Sequence, residues 1–477
     1  MDSREHVQQL VEYVLNIRFK DLPEIVVDRT KLAILDFFGN SLAALGTNHH
    51  LIAAVVDLTL ESEGRKESTV LGVPTRISCL DAAMVHGVLG NFLDFSDGHF
   101  MGGHINDRIV PAALAAAERM NATGTEFITA VLAGYEAYVR LAYALFGKAE
   151  PASIKGPSFV VLGALGSTIA VGKLLSLTSE QMTGAMGLAA SMQICSGQYT
   201  ISGGHEKDLC PGHESRRAVL SALMAQKGVL GSKDILQGDR GLGHIAGGTL
   251  DLNRITEALG EKFMIEECYF KPYPACKYLH ASIDAAIDIA KNNTVDAKHI
   301  REVKVTTNSS SARRSTYDIR SHVSAIFSHP YQVAVVLAEG KPDLPTSWTE
   351  KMQSGLIAEL IRKIKVESSK EFDELYRTRT LDCGTWPSRV EVSMNNGHRF
   401  ESTVLRPKGD PTNPMTNEEL EGKFKQNAMK ILGIDELDRL VCQIYQTEKI
   451  DDLRGFCQEL SCLTVKRKHH SSRKGPH

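Results

Sequence analysis

The sequence predicts a mainly α protein, with a large all-helical domain drawn from both chain ends and a smaller α+β domain between them. Three observations carry that expectation. Apolar residues recur at helical spacing, with short breaks only, over residues 1–265. Over 266–405 the repeat shortens to two in several short segments, and over 406–460 helical spacing returns. A helical segment that follows an α+β unit most simply packs back on the first domain.

Within 1–265, Phe127, Val131, Tyr135 and Val139 step by four and share one helix face. Thr178 and Gln181 form a capping box, in which the hydroxyl accepts from the N3 amide while the glutamine reaches back to the cap. Small residues from Gly163 to Ala170 let helices approach closely, although each interior glycine costs about 1 kcal/mol of helix propensity. In the α+β part, Val303 and Val305, then Ile364 and Val366, then Val390, Val392 and Met394 alternate with polar neighbours. The last run leads through Asn396 and Gly397 to Phe400–Val404, a hairpin signal because both turn residues tolerate positive φ. Helical runs at Tyr278–Lys291 and Tyr331–Glu339 fall between the strands. Thr416 and Glu419 make a second capping box before the helix Leu420–Leu432. Residues 461–477 are rich in Lys and Arg without an acid and read as a solvated, disordered tail, or alternatively as a targeting or anion-binding arm.

At 477 residues the chain can form two or three domains with a large core. Hydrophobic residues at 43% and charged residues at 23% exclude disordered, collagen-like and coiled-coil classes. Lys and Arg (54) nearly cancel Asp and Glu (57), so there is no global field to hold nucleic acid or an anionic membrane. The nine cysteines are too scattered for a disulfide framework and include no CxxC pair, which argues against zinc and thioredoxin chemistry. The first residues lack the apolar core of a signal peptide, and no stretch reaches the roughly 20 apolar residues that span a bilayer. A reducing compartment is therefore expected, the cytoplasm first and the mitochondrion as the alternative.

Three polar patches are candidates for chemistry. The first runs from Asn91 to Arg108 and places Asp94, Asp97, His99 and His104 on a glycine-rich break between helices, where side chains can converge for acid/base work. The same residue types suit a metal, or plain helix capping and salt bridging; no second dense cluster of ligands completes a metal shell. The second, Ser202–Arg217, sets Lys207 ahead of a helix expected from Ala218 to Gly228, where an ammonium and unpaired amides can grip a carboxylate; a solvated charged turn is the alternative. The third is Lys271, Tyr273, Cys276 and His280, at the change of period, where two prolines stiffen the entry to a cleft. Cys276 reads first as a small buried apolar group, and His280 equally as a satisfied core histidine or a site residue. Gly241, Gly243 and Ala246 match a dinucleotide fingerprint in letters only, because a turn and not a strand precedes them. Neither a Walker lysine motif nor a GxSxG elbow is present, so neither a bound nucleotide nor covalent serine chemistry is expected.

In this order and spacing the three patches resemble the MmgE/PrpD family, over about residues 5–457. The matching pieces include Leu35–Gly39, the Asp94–His104 loop, Gly163–Leu175, Lys207, Lys271–Cys276 with His280, Ala325–Tyr331 and Asn413–Thr416. The resemblance implies a large helical domain from both chain ends, an α+β lid, a homodimer, and a cofactor-free, metal-free site between the domains. It also implies Asp94, His104 and Lys207 as catalytic groups; Asp97, His99, Ser158, Lys271, Tyr273, Cys276 and His280 are expected around the substrate. Known activities of the family include 2-methylcitrate dehydratase, cis-aconitate decarboxylase and iminodisuccinate epimerase.

Two departures bear on the activity. Many members read Asp-x-Asp-Asp-Thr in the loop, where this chain has Asp94, Ser96, Asp97 and Gly98, so one acid and the threonine are replaced. Decarboxylase and dehydratase members often carry a histidine before the glycine-rich helix; the equivalent here is Pro157, which leaves Lys155 or Ser158 to substitute or implies another substrate. The expected function is a lyase that dehydrates a 2-methylcitrate-like or alkylcitrate-like polycarboxylate. The alternatives are an isomerase, epimerase or cis-aconitate-type decarboxylase, and a non-catalytic carboxylate-binding protein.

Overall fold

Long apolar runs on several faces at once make helices that are buried around most of their circumference. The computed structural model describes residues 3–62, 64–73, 75–147, 158–191, 197–245, 250–342, 348–377 and 386–472, and the fold is mainly helical. The central helices are α1 (Glu24–Gly46), α2 (Cys79–Asn91), α3 (Asn106–Met120), α4 (Gly124–Phe146) and α5 (Ser158–Leu174). Phe127, Val131, Tyr135 and Val139 are buried in α4, as their spacing predicts, and α4 packs along α5. Thr178 and Gln181 form their capping box at the head of α6 (Ser179–Ala190).

α7 spans Glu206–Gln226 and crosses both α2 and α5. This corrects the expected start at Ala218. Pro211 and Gly212 read as punctuation, yet the helix runs through them because a close crossing requires them: a Cβ on Gly87 of α2 would fall 2.8 Å from the Cα of Gly212. Tertiary packing overrides local propensity here, and Lys207 lies inside the first turn.

Beyond this region come α8 (His280–Asn292), β3 (Ile300–Thr307), α9 (His322–Ile326), α10 (His329–Glu339), β4 (Ile364–Ser368), β5 (Ser388–Met394) and β6 (Arg399–Val404), preceded in the chain by the two-residue strands β1 (Gly98–His99) and β2 (Gly103–His104). β3–β6 form one sheet in the order β4-β3-β5-β6, with β3 and β4 parallel and the other pairs antiparallel. The β5–β6 hairpin turns at Asn396 and Gly397, the latter at φ +88°. β5 alternates buried and half-buried residues, and α8 packs against β5 and β6.

α11 (Asn417–Ala428), headed by the Thr416–Glu419 capping box, packs on α1. α12 runs from Leu453 to Ser472 and contacts α3. The backbone of residues 461–472, expected as part of a solvated tail, continues this helix. One apolar core runs continuously from Val7 to Leu460 through helices and sheet alike. Cys210 is disulfide-bonded, while Cys79, Cys268, Cys276 and Cys457 are free and buried. Among the described residues, no helix is long and apolar enough to cross a membrane.

Candidate active site

The site grows from the point where α2 ends. The Asp94 amide donates to the Asn91 carbonyl at 2.8 Å, and Asp94 itself adopts φ +53°, a left-handed conformation that costs most residues about 1 kcal/mol or more and that Asp tolerates better than most. β1 then pairs with β2 in a tight hairpin that returns His104 to Asp94. Gly98 permits the closure: a Cβ there would meet the Gly103 carbonyl at 2.5 Å.

Three cationic or proton-bearing side chains meet on the Asp94 carboxylate. Lys207 Nζ lies 3.1 Å and His104 Nε2 3.3 Å from Oδ1, and Lys271 Nζ donates to Oδ2 at 2.8 Å and to the Asp94 carbonyl at 2.7 Å. Lys207 also donates to the Asn91 carbonyl at 2.8 Å. The side chain of His104 is 23% exposed, against 5% for Lys207, 1% for Asp94 and 0% for Lys271, so an incoming molecule meets His104 first.

Electrostatics follow from this geometry. Burial opposes ionisation of Asp94, but Lys207, Lys271 and then His104 overcome it and hold the carboxyl well below its ordinary range. Burial, then the Lys271 cation, lowers the pKa of His104 against the pull of Asp94, which favours the neutral ring. Burial lowers that of Lys271 too, with Asp94 opposing.

His104 is braced from behind. Its Nδ1 lies 2.6 Å from Ser96 Oγ, which donates to Asp107 Oδ2 at 2.9 Å. Asn91 also donates to Asp107, and Arg108 bridges Asp107 at 2.5 Å and Glu214 of α7 at 2.9 Å. Sequence reasoning passed over Ser96, Asp107 and Glu214. Asp107 lay within the first patch, three residues past His104, and that spacing was the available signal.

Other candidates point elsewhere. Asp97 is fully buried and accepts from the Tyr135 hydroxyl and, at 2.8 Å, from the Asn106 amide; burial, then Asp36, raises its pKa to about 8. His99 is held by Tyr143 at 3.3 Å, Glu267 at 3.4 Å and the Met101 amide at 3.2 Å. Tyr273 donates to Asp284 at 2.5 Å. Cys276 is a free, buried thiol whose amide donates to the Ile326 carbonyl at 3.0 Å. His280 is fully buried, with Nε2 3.1 Å from the Ala275 carbonyl and Nδ1 unpartnered; burial, then Lys277 and Lys271, keeps its pKa well below the ordinary value, so it is a neutral ring and not a cationic clamp. Ser158 opens α5, but its side chain, like Lys155 and Pro157, lies outside the described residues.

Beneath the loop is a tie that the sequence does not announce. Asp36 of α1 accepts from Lys423 of α11 at 2.6 Å, from Asn106 at 2.8 Å and from the Asp97 amide at 3.2 Å. Lys423 Nζ donates also to the carbonyls of Phe95 at 2.7 Å and Lys271 at 2.9 Å. The first and last helical parts thereby fix the backbone just after Asp94, at Phe95 and Asp97, and the backbone of Lys271.

The cluster combines a neutral imidazole with fixed ammonium groups, which suits proton transfer beside a carboxylate. Groups with metal-ligand spacing lie next to it, in His205, Asp208 and His322, and in His49, His50 and His205.

Known proteins resemble this chain along nearly all of it. The model described as MmgE/PrpD N-terminal domain matches residues 8–254, and that described as MmgE/PrpD C-terminal domain matches 273–443. Cis-aconitate decarboxylase of Aspergillus terreus (strain NIH 2624 / FGSC A1156) is 24% identical over 95% of this chain and 95% of its own length. Cis-aconitate decarboxylase of Homo sapiens is 24% identical over 93% of this chain and 91% of its own, and 2-methylcitrate dehydratase of Salmonella typhimurium (strain LT2) is 23% identical over 85% of each.

Proposed function

The chain belongs to the MmgE/PrpD family, and we propose from that premise that it is a cofactor-independent lyase which dehydrates a small citrate-like or alkylcitrate-like polycarboxylate. The observation that carries the reading is the convergence of His104, Lys207 and Lys271, from three separate segments, on the one carboxylate of Asp94.

Roles follow from exposure and partners. His104, the most open member, takes a proton from the carbon next to a substrate carboxylate. Lys207 holds that carboxylate and offsets the charge that develops as the C–H bond breaks. The imidazolium returns the proton to the departing hydroxyl, water leaves, and the ring ends neutral. Asp94 orients the imidazole and stabilises its charged form, and Lys271, fully buried on Asp94, holds that acid in place. In this reading Asp97, His99 and Tyr273 shape the loop and its support and do not grip the substrate, and a homodimer of such subunits is the expected assembly.

A second reading, decarboxylation, is favoured by the full-length similarity to cis-aconitate decarboxylases. It uses the same groups in the opposite order: His104 first takes a proton from solvent, the C–CO2 bond breaks with its electron pair left on carbon, carbon dioxide leaves, and the imidazolium protonates the carbon and ends neutral. The deciding experiment is mass spectrometry of a polycarboxylate panel incubated with pure protein. Loss of water supports dehydration and loss of carbon dioxide supports the second reading. Deuterium uptake from heavy water without either loss would show an isomerase or epimerase, and melting shifts without any product would show a binding protein.

A further inference from the structure

One residue beyond Lys207, and outside the acid/base cluster, imidazoles gather from three parts of the chain. His49 and His50 stand at the head of the helix His50–Glu61, His205 and Asp208 at the head of α7, and His322 at the head of α9. The rings of His205 and His322 stack at 5.3 Å, and His49 lies 5.3 Å and 5.0 Å from them. Two imidazole nitrogens converge on a single carboxylate oxygen: His322 Nε2 lies 2.9 Å and His205 Nδ1 3.4 Å from Asp208 Oδ2.

We propose that His205, Asp208 and His322 bind one first-row divalent cation of the zinc class. One ligand atom from each lies within 4.8 Å of the others. In a tetrahedron with bonds of about 2.0–2.1 Å, neighbouring ligand atoms stand about 3.4 Å apart; the His205 separation from Asp208 is 3.4 Å, and the His322 separation, 2.9 Å, is a hydrogen-bond contact that opens as an ion enters. The donor set, two imidazoles and a carboxylate, suits zinc, and the fourth position is left to water. His49 is not a ligand, because its Nδ1 accepts the Leu51 amide at 3.2 Å and its proton must then sit on Nε2. Binding of a substrate carboxylate in this place is disfavoured by Asp208, whose negative charge faces the same space. His205 is part-exposed, which leaves a path for the ion, whereas Asp208 and His322 are buried.

The cation would pin α7 to α9, and so residues within the two separately matched family regions to each other. It would also draw charge from Asp208, whose Oδ1 lies 3.6 Å from Lys207 Nζ, and leave Lys207 to Asp94 and the substrate. That last consequence, unlike the site itself, rests on the lyase reading.

The test is binding, not turnover. The full chain, stripped with a chelator, is titrated with Co2+ followed by visible absorption and with Zn2+ by calorimetry. The expected result is one equivalent bound in the micromolar range or tighter, with ligand-field bands, no intense thiolate charge transfer, and a melting temperature that rises with the ion. His205→Ala and His322→Ala each weaken binding at least about 100-fold, and the shape-preserving Asp208→Asn does likewise with the far-ultraviolet spectrum unchanged. His299→Ala, at an exposed histidine paired with Asp296, leaves it unaltered. Absence of one-equivalent binding, or binding undiminished in the variants, overturns the site.

Discussion

Two aspartates three residues apart are used in opposite ways. Asp94 meets three cationic or proton-bearing groups and is held ionised behind His104, whereas Asp97 meets Asp36 and a tyrosine hydroxyl inside the core and holds its proton up to about pH 8. Both are almost wholly buried, so burial alone does not set a carboxyl's charge; the sign of its neighbours does. The same loop therefore carries one acid that organises cations for chemistry and one that fastens the backbone.

The sharpest way to break this contrast is Asp94→Asn. Turnover on the substrate identified from the panel should fall at least about a thousandfold, and stability should drop by about 3–5 kcal/mol because buried Lys271 loses its counter-charge. Unchanged turnover would remove Asp94 from the chemistry. Next in size, His104→Gln should cost about a hundredfold or more in kcat while thermal melting stays near the wild-type value, since the ring is part-exposed. The direction of the His104 shift adds a pH test: if the neutral ring is the base, kcat/KM should hold its plateau as pH falls through the ring's ordinary value of 6.5, with the acidic limb below it.

Asp97→Asn should leave kcat within a few-fold and act on stability instead. Its folded-state pKa, about 8, lies above the ordinary carboxyl value of 3.8, so the folded chain keeps a proton that the unfolded chain releases between those values. The stability this contributes is full below about pH 4 and is lost as pH rises to about 8, on the order of a few kcal/mol. Denaturant unfolding from pH 5 to 8 should show a shallower loss in the Asn variant; an identical slope would mean that Asp97 is ionised throughout, as Asp94 is. The smallest effect belongs to Tyr273→Phe, which removes one hydrogen bond to Asp284, about 1 kcal/mol in a melt, and leaves turnover unchanged.

Legibility of the site divided along the same line. Asp94, His104, Lys207 and Lys271 were each readable, as polar residues within the glycine-rich, charged and proline-bearing patches. That they share one carboxylate was not, because pairing across 177 positions, as between Lys271 and Asp94, leaves no local trace. Asp97 and His99 looked like their neighbours in letters; only the positions of Tyr135, Asn106, Glu267 and Tyr143 show that their polar atoms are already occupied. The hairpin at Gly397 and the two capping boxes were legible because their determinants lie within a few residues. The start of α7 was not, since Gly212 answers to Gly87 on another helix. The pairing of Asp36 with Lys423, 387 positions apart, left no local trace, although Asp36 lies within the matching piece Leu35–Gly39.

That last pair has a consequence for synthesis on the ribosome. A nascent chain makes the Asp94 loop first, and the ammonium that ties its backbone to the first long helix follows 328 positions after Phe95. Until then Asp36 faces Asn106 and the Asp97 amide without its cation, so a polypeptide truncated before Lys423 would present every reactive side chain and still lack the clasp that sets them.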